Sequence, residues 1–144
     1  MRIVLDTSIL VRANEHSLGI ARELLVRITN SAHRLVISNE MLYELTRVLR
    51  YPRLQTFYQL SESVLYDYVA FLRHTSEIVI LNPLVIAPIR DVNDVIVMQT
   101  AIIGQVDVLC TRDEDFFEKP ACEYLNKVGI KVMDEIALMK MLRP

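Results

Sequence analysis

Four acidic residues stand where their chemistry could be pooled: Asp6, Glu44, Asp94 and Asp113. Asp6 closes the apolar run Val4-Leu5, and Asp113 follows a second run, in Leu109-Cys110-Thr111-Arg112-Asp113-Glu114-Asp115. Asp94 opens the apolar stretch Val95-Ile96-Val97-Met98, and Glu44 lies inside a segment of helical period. Carboxylates brought together repel and raise one another's pKa, so a cluster of them needs compensation. Hard divalent cations such as Mg2+ and Mn2+ provide it, because they prefer oxygen ligands and keep several waters. Such a site polarises a phosphate and lowers the pKa of water, and a second metal stabilises a leaving oxygen. The chemistry implied is phosphodiester hydrolysis. The three histidines, His16, His33 and His74, have no evident Ser or Cys partner, so no other nucleophile system competes.

Each acid taken alone also has a plainer account. Asp6 or Ser8, after a strand, suits a helix N-cap. Glu40, Glu44 and Arg47 share one helix face and could be solvated there. Asp91 is a natural N-cap, with Asp94 placed like the second half of a capping box. Asp113, Glu114 and Asp115 beside Arg112 could form a solvated turn. The constellation says more than its members.

Five short runs rich in Val, Ile and Leu read as strands: Arg2–Leu5, Arg34–Ile37, Ile78–Leu81, Val106–Cys110 and Ile130–Val132. Helical periodicity marks Ile20–Thr29, Asn39–Arg50, Ser61–Arg73, Val92–Ile103 and Met133–Leu142. Gly104 reads as the residue just past a helix end, and Gly129 as part of the turn before the last strand. Strand and helix alternate, which predicts an α/β fold: a central parallel sheet of about five strands with helices on both faces. Ligands bind beyond the carboxyl ends of such strands. Two of the acids close strands at that edge, and two belong to helices that start near it.

The 144 residues fit a single domain, 1–144, long enough to bury a core without disulfides. Cys110 and Cys122 form no metal-like pair, and Cys110, at the end of an apolar run, reads as a buried thiol. A net charge of −2 argues against coating nucleic acid by bulk electrostatics, while leaving room for an acidic metal site. With three glycines there is no Gly-rich phosphate loop. No apolar run approaches the roughly 18 to 20 residues of a membrane span. The opening MRIVLDTSIL is a poor signal peptide, so the expected compartment is the cytoplasm.

The segments VLDTSILVRA at 4–13, ISNEMLYELTRVLRYPRL at 37–54, RDVNDVIVMQTA at 90–101 and VLCTRDEDFF at 108–117 resemble PIN-domain nucleases. The nearest likeness is to the VapC-like toxin components of toxin–antitoxin pairs. The resemblance implies metal-binding acids at Asp6, Glu44, Asp94 and Asp113. Asp115 enters as a helper or as an alternative to Asp113, and Thr7, Ser8 and Thr111 position waters or carboxylates. It further implies Mg2+ or Mn2+, an RNA substrate, a homodimer and an antitoxin partner. Val92 and Asn93 depart from relatives, which often read Pro and Asp there, and this bears on the charge near a second metal. Arg12, Arg47, Arg50, Arg90 and Arg112 are candidate RNA contacts, as is Arg53. Tyr43 or Tyr51 could stack a base, although packing is the expectation for both. A receiver domain would need an acidic pair after strand one, and a haloacid-dehalogenase-type phosphatase needs Asp-x-Asp, where position 8 is serine. The standing alternative is a catalytically idle PIN-like module that binds RNA or protein.

Overall fold

The computed structural model describes residues 1–143. Strands β1 (Arg2–Leu5), β2 (Arg34–Ser38), β3 (Glu77–Val79), β4 (Val108–Cys110) and β5 (Lys131–Met133) form one sheet of order β3-β2-β1-β4-β5. Every pairing is parallel. Ile3, Val4 and Leu5 are all buried although their side chains alternate in direction, so β1 is covered on both faces. The sheet is the α/β arrangement expected from the alternating pattern.

Helices α1 (Thr7–Arg12), α2 (Ile20–Thr29), α3 (Asn39–Leu49), α4 (Pro52–Tyr58), α5 (Glu62–Thr75), α6 (Val92–Ile103), α7 (Ala121–Lys127) and α8 (Glu135–Leu142) surround it. Their starts are chemically marked. Ser38 accepts a bond from the Met41 N–H, Ser61 from Val64 and Asp134 from Ala137. The buried stripe of α3, Met41, Leu42, Leu45 and Leu49, is the one its periodicity predicts. Tyr68 on α5 is buried, and its hydroxyl donates to the Leu10 carbonyl of α1 at 2.6 Å. That bond ties the α5 layer to the helix that follows Asp6.

Several boundaries differ from the sequence reading, each for a local reason. Helices α1, α4 and α7 have 6, 7 and 7 residues, too few turns to display a period. Pro52 at the first turn of α4 is the sequence mark that such a helix leaves. The run at Val106 starts before β4 because the Val106 N–H bonds to the Ala101 carbonyl in the turn leaving α6. Met133 pairs with Cys110 in the sheet, so α8 begins only after the Asp134 cap. The edge strand β3 stops at Val79, leaving Ile80 exposed.

Gly104 has ordinary right-handed geometry, and it is Gln105 that carries the positive φ, 49°. Gly104 is small for a different reason: a Cβ there would lie 2.7 Å from Val36 Cγ1. Gly129, with φ of 88°, does occupy the left-handed turn before β5. No helix among the described residues is long and apolar enough to cross a membrane. Gly104→Ala should therefore destabilise the protein by about 1–3 kcal/mol through overpacking between α6 and β2. Denaturant unfolding measures this, and an unchanged midpoint would show that Val36 yields at no cost.

Candidate metal centre at the sheet's carboxyl edge

Strand order reverses between β1 and β4, and the loops leaving these two strands diverge there. Asp6 leaves β1 with its N–H bonded to the Cys110 carbonyl at 2.9 Å. Thr111 leaves β4 and donates its hydroxyl to Asp6 Oδ2 at 2.6 Å. The same hydroxyl oxygen accepts from the Asp113 N–H at 3.0 Å. Thr111 is fully buried, so one side chain sets Asp6 and the Asp113 turn relative to each other. Asp113 in turn caps the short 3-10 turn Glu114–Phe116 by accepting from the Asp115 N–H.

Asp94 arrives from the first turn of α6. Asp91 is the cap of that helix and accepts from the Asn93 and Asp94 N–H groups at 2.8 and 3.3 Å. Asp94 does not complete a capping box, and it lies 8 % exposed at the cleft. Asp94, Asp113 and Asp115 each offer an oxygen within 4.8 Å of the others. The fold thus admits both Asp113 and Asp115 beside Asp94, where the sequence reading posed a choice. Asp6 and Glu44 line the same cleft, of about 660 Å³, without joining that close group.

Glu44 is engaged by its own helix. Arg47 donates Nη2 to Oε1 at 2.7 Å and Nε to Oε2 at 3.0 Å, a bidentate pair. Arg47 also donates to the Tyr51 hydroxyl at 2.7 Å and lies over that ring, 5.5 Å from its centroid. Arg47 lines an adjoining groove of about 690 Å³ together with Tyr43, Arg50 and Arg73. Tyr43 and Tyr51 are exposed, against the expectation that they pack. Arg50 pairs with Glu62, and Arg53 and Arg90 are exposed outside the acidic cleft. Thr7 and Ser8 do line the cleft.

Two of the candidate RNA contacts, Arg12 and Arg112, line the cleft and both pair with Glu135. Glu135 escaped the sequence reading because it sits in the first turn of a helix, where an acid is ordinarily explained by the helix dipole. Its complete burial is a tertiary fact that no spacing signals.

The electrostatics follow from burial. Desolvation raises the Asp6 pKa, offset in part by the Thr111 hydroxyl and the Thr7 and Ser8 backbone amides, with Asp113 pushing it further up. Asp94 is raised to about 7, first by burial, then by Asp113, which accepts a hydrogen bond from its protonated carboxyl and repels its charged form, then by Asp6 and Asp91. The Cys110 thiol is also raised, chiefly by burial, and the residue is the inert buried thiol expected. The donor set is all oxygen and converging, and it fits a hard divalent cation.

Comparison with known proteins gives the family and the fold. Residues 3–121 match the PIN domain model, and the chain belongs to the PIN domain family. In the solved structures, the crystal structure of VapBC2 from Rickettsia felis bound to a DNA fragment from their promoter has a similar fold. The TM-score is 0.59 at 16% identity, over 93% of this chain and 98% of that one. At that identity the likeness is one of fold. No curated relative matches the sequence.

Because the folded-state pKa of Asp94 lies above that of an unfolded aspartate, about 3.9, the folded protein holds the extra proton between about pH 4 and 7. Metal-free stability should thus fall as pH rises through that window. Asp94→Asn should flatten the fall and raise the metal-free melting temperature at pH 7.5. Thermal unfolding in EDTA across that range checks this, and an Asn variant less stable than the parent at pH 7.5 would count against it.

Proposed function

We propose that this protein is a Mg2+- or Mn2+-dependent endoribonuclease, the toxin of a toxin–antitoxin pair, acting in the cytoplasm as a homodimer. The observation that carries the reading is the convergence of Asp94, Asp113 and Asp115 at the point where strand order reverses. Family membership supports the nuclease class, and the resemblance of the motif segments to VapC-like toxins supports RNA as substrate and an antitoxin as partner.

Asp94, Asp113 and Asp115 would hold the cation, and Asp6 and Glu44 would complete its surroundings. A cation bound there supplies Lewis-acid polarisation of a phosphate oxygen and a lowered pKa for the attacking water. The chain's own part is positional. Thr111 holds Asp6 in one orientation, and the Asp91 cap holds the turn that presents Asp94. Carboxylates that repel one another without a cation become ligands with one, so the strain in the metal-free site favours binding.

The Glu44–Arg47 pair favours a second reading, an idle PIN-like module that binds RNA or protein, because both Glu44 oxygens are already engaged. Thermal unfolding with added Mn2+ separates the two. A nuclease should gain about 2.7 kcal/mol of stability at a hundredfold excess over the dissociation constant. Asp113→Asn should abolish that gain together with cleavage of a single-stranded RNA. A parent protein whose melting temperature ignores both metals and which leaves RNA intact is the idle module.

A further inference from the structure

Among the described residues, Glu135 is the one fully buried carboxylate beside the cleft that the proposed chemistry leaves unused. It begins α8, just after β5, at the same edge of the sheet as Asp6 and Asp113. Arg12, in the last turn of α1, donates Nη1 to Oε1 at 2.8 Å and Nη2 to Oε2 at 3.3 Å. Arg112, in the loop leaving β4, pairs through Nε with the same Oε1. Three elements following three adjacent strands therefore meet on one carboxylate. The arithmetic of charge is two guanidinium groups against one acid, leaving a net positive charge.

That surplus faces outward. The Arg12 and Arg112 side chains are 34% and 51% exposed, and both line the acidic cleft. The two terminal nitrogens of Arg112 have no hydrogen-bond partner among the described residues, and they form a planar donor fork of the kind that matches phosphate. Arg112 is also the chain neighbour of Asp113. An unanchored guanidinium there would be drawn onto the Asp94–Asp113–Asp115 group and compete with a cation for it. Pairing with buried Glu135 holds both arginines back.

We propose that Glu135 is a positioning residue that fixes Arg12 and Arg112 as a clamp for a backbone phosphate of an RNA strand entering the acidic cleft. The clamp takes its substrate class from the ribonuclease reading above. Glu135 itself touches no substrate. Its work is to hold two cations beside the cleft's acids without letting them neutralise one another.

The test measures binding of a short single-stranded RNA by fluorescence anisotropy in EDTA at several salt concentrations. In parallel, the Mn2+-induced rise in melting temperature is followed, together with KM and kcat for cleavage. Arg112→Ala should weaken RNA binding at least about tenfold and make its salt dependence shallower by about one phosphate's worth. Glu135→Gln should weaken binding in the same direction. In both variants KM should rise with kcat little changed, and the Mn2+ response should persist. Arg112→Lys, which keeps the charge and loses the fork, should restore the salt slope and only part of the affinity. Parent-like RNA affinity and salt slope in Arg112→Ala would overturn the clamp, and so would a folded Glu135→Gln that loses only thermal stability. Should Glu135→Gln fail to fold, the two Arg112 variants decide. A parent protein without Mn2+ response or cleavage, whose RNA affinity still falls in Arg112→Ala, would refute the nuclease and leave the clamp standing.

Discussion

The parallel pairing of β1 with β4, Ile3 to Val108 through Leu5 to Cys110, is the constraint on which the rest of the structure hangs. The chain builds β1, β2 and β3 outward in one direction and then returns to place β4 against the other side of β1. Only at such a reversal do two neighbouring strands send their continuations apart and leave a crevice between them. Asp6 and Thr111 are the residues immediately past that pair, and the bond between them spans the crevice floor. Asp94 then needs only to arrive from α6, the helix the chain uses to cross back.

Positive charge near the crevice is confined by pairing. Arg47 is held by Glu44 and Tyr51, and Arg12 and Arg112 are held by Glu135. Burying an acid such as Glu135 is unfavourable unless its partners satisfy it well, and losing one partner exposes the full desolvation cost. An arrangement of that kind adds little stability for the burial it demands. What it does confer is placement, because guanidinium groups fixed by an acid cannot relax onto the neighbouring carboxylates. The acidic group is thereby left with its own repulsion unrelieved, which is the condition under which an added cation binds best.

Capping and site-building share residues throughout this edge. Asp91 caps α6 and sets the turn that presents Asp94, while Asp113 caps the 3-10 turn and is itself one of the close acids. Helix α6 and the 3-10 turn therefore have first backbone N–H groups satisfied by the segment that delivers a carboxylate. The capping account holds for Asp91 and Asp113, and Asp94 is presented by a cap rather than acting as one.

Strand and helix order, the central sheet and the positions of the acids were legible in the sequence because they depend on periodicity and on adjacency to apolar runs. Those are local properties, and α2 and α6 begin and end where the period says. Helices of fewer than two turns, such as α1, α4 and α7, carried no period to read. The identity of Asp91 as cap was also local, being a matter of three consecutive residues. What the tertiary structure alone decided is who meets whom. It brought Asp115 to Asp94 and Asp113, engaged Glu44 with Arg47, and put Gly104 against Val36. It also closed Arg12 and Arg112 over Glu135, which lies 123 residues from Arg12 along the chain. Burial and pairing are properties of surfaces that fold together, and a carboxylate at a helix start looks the same in sequence whether water or two arginines await it.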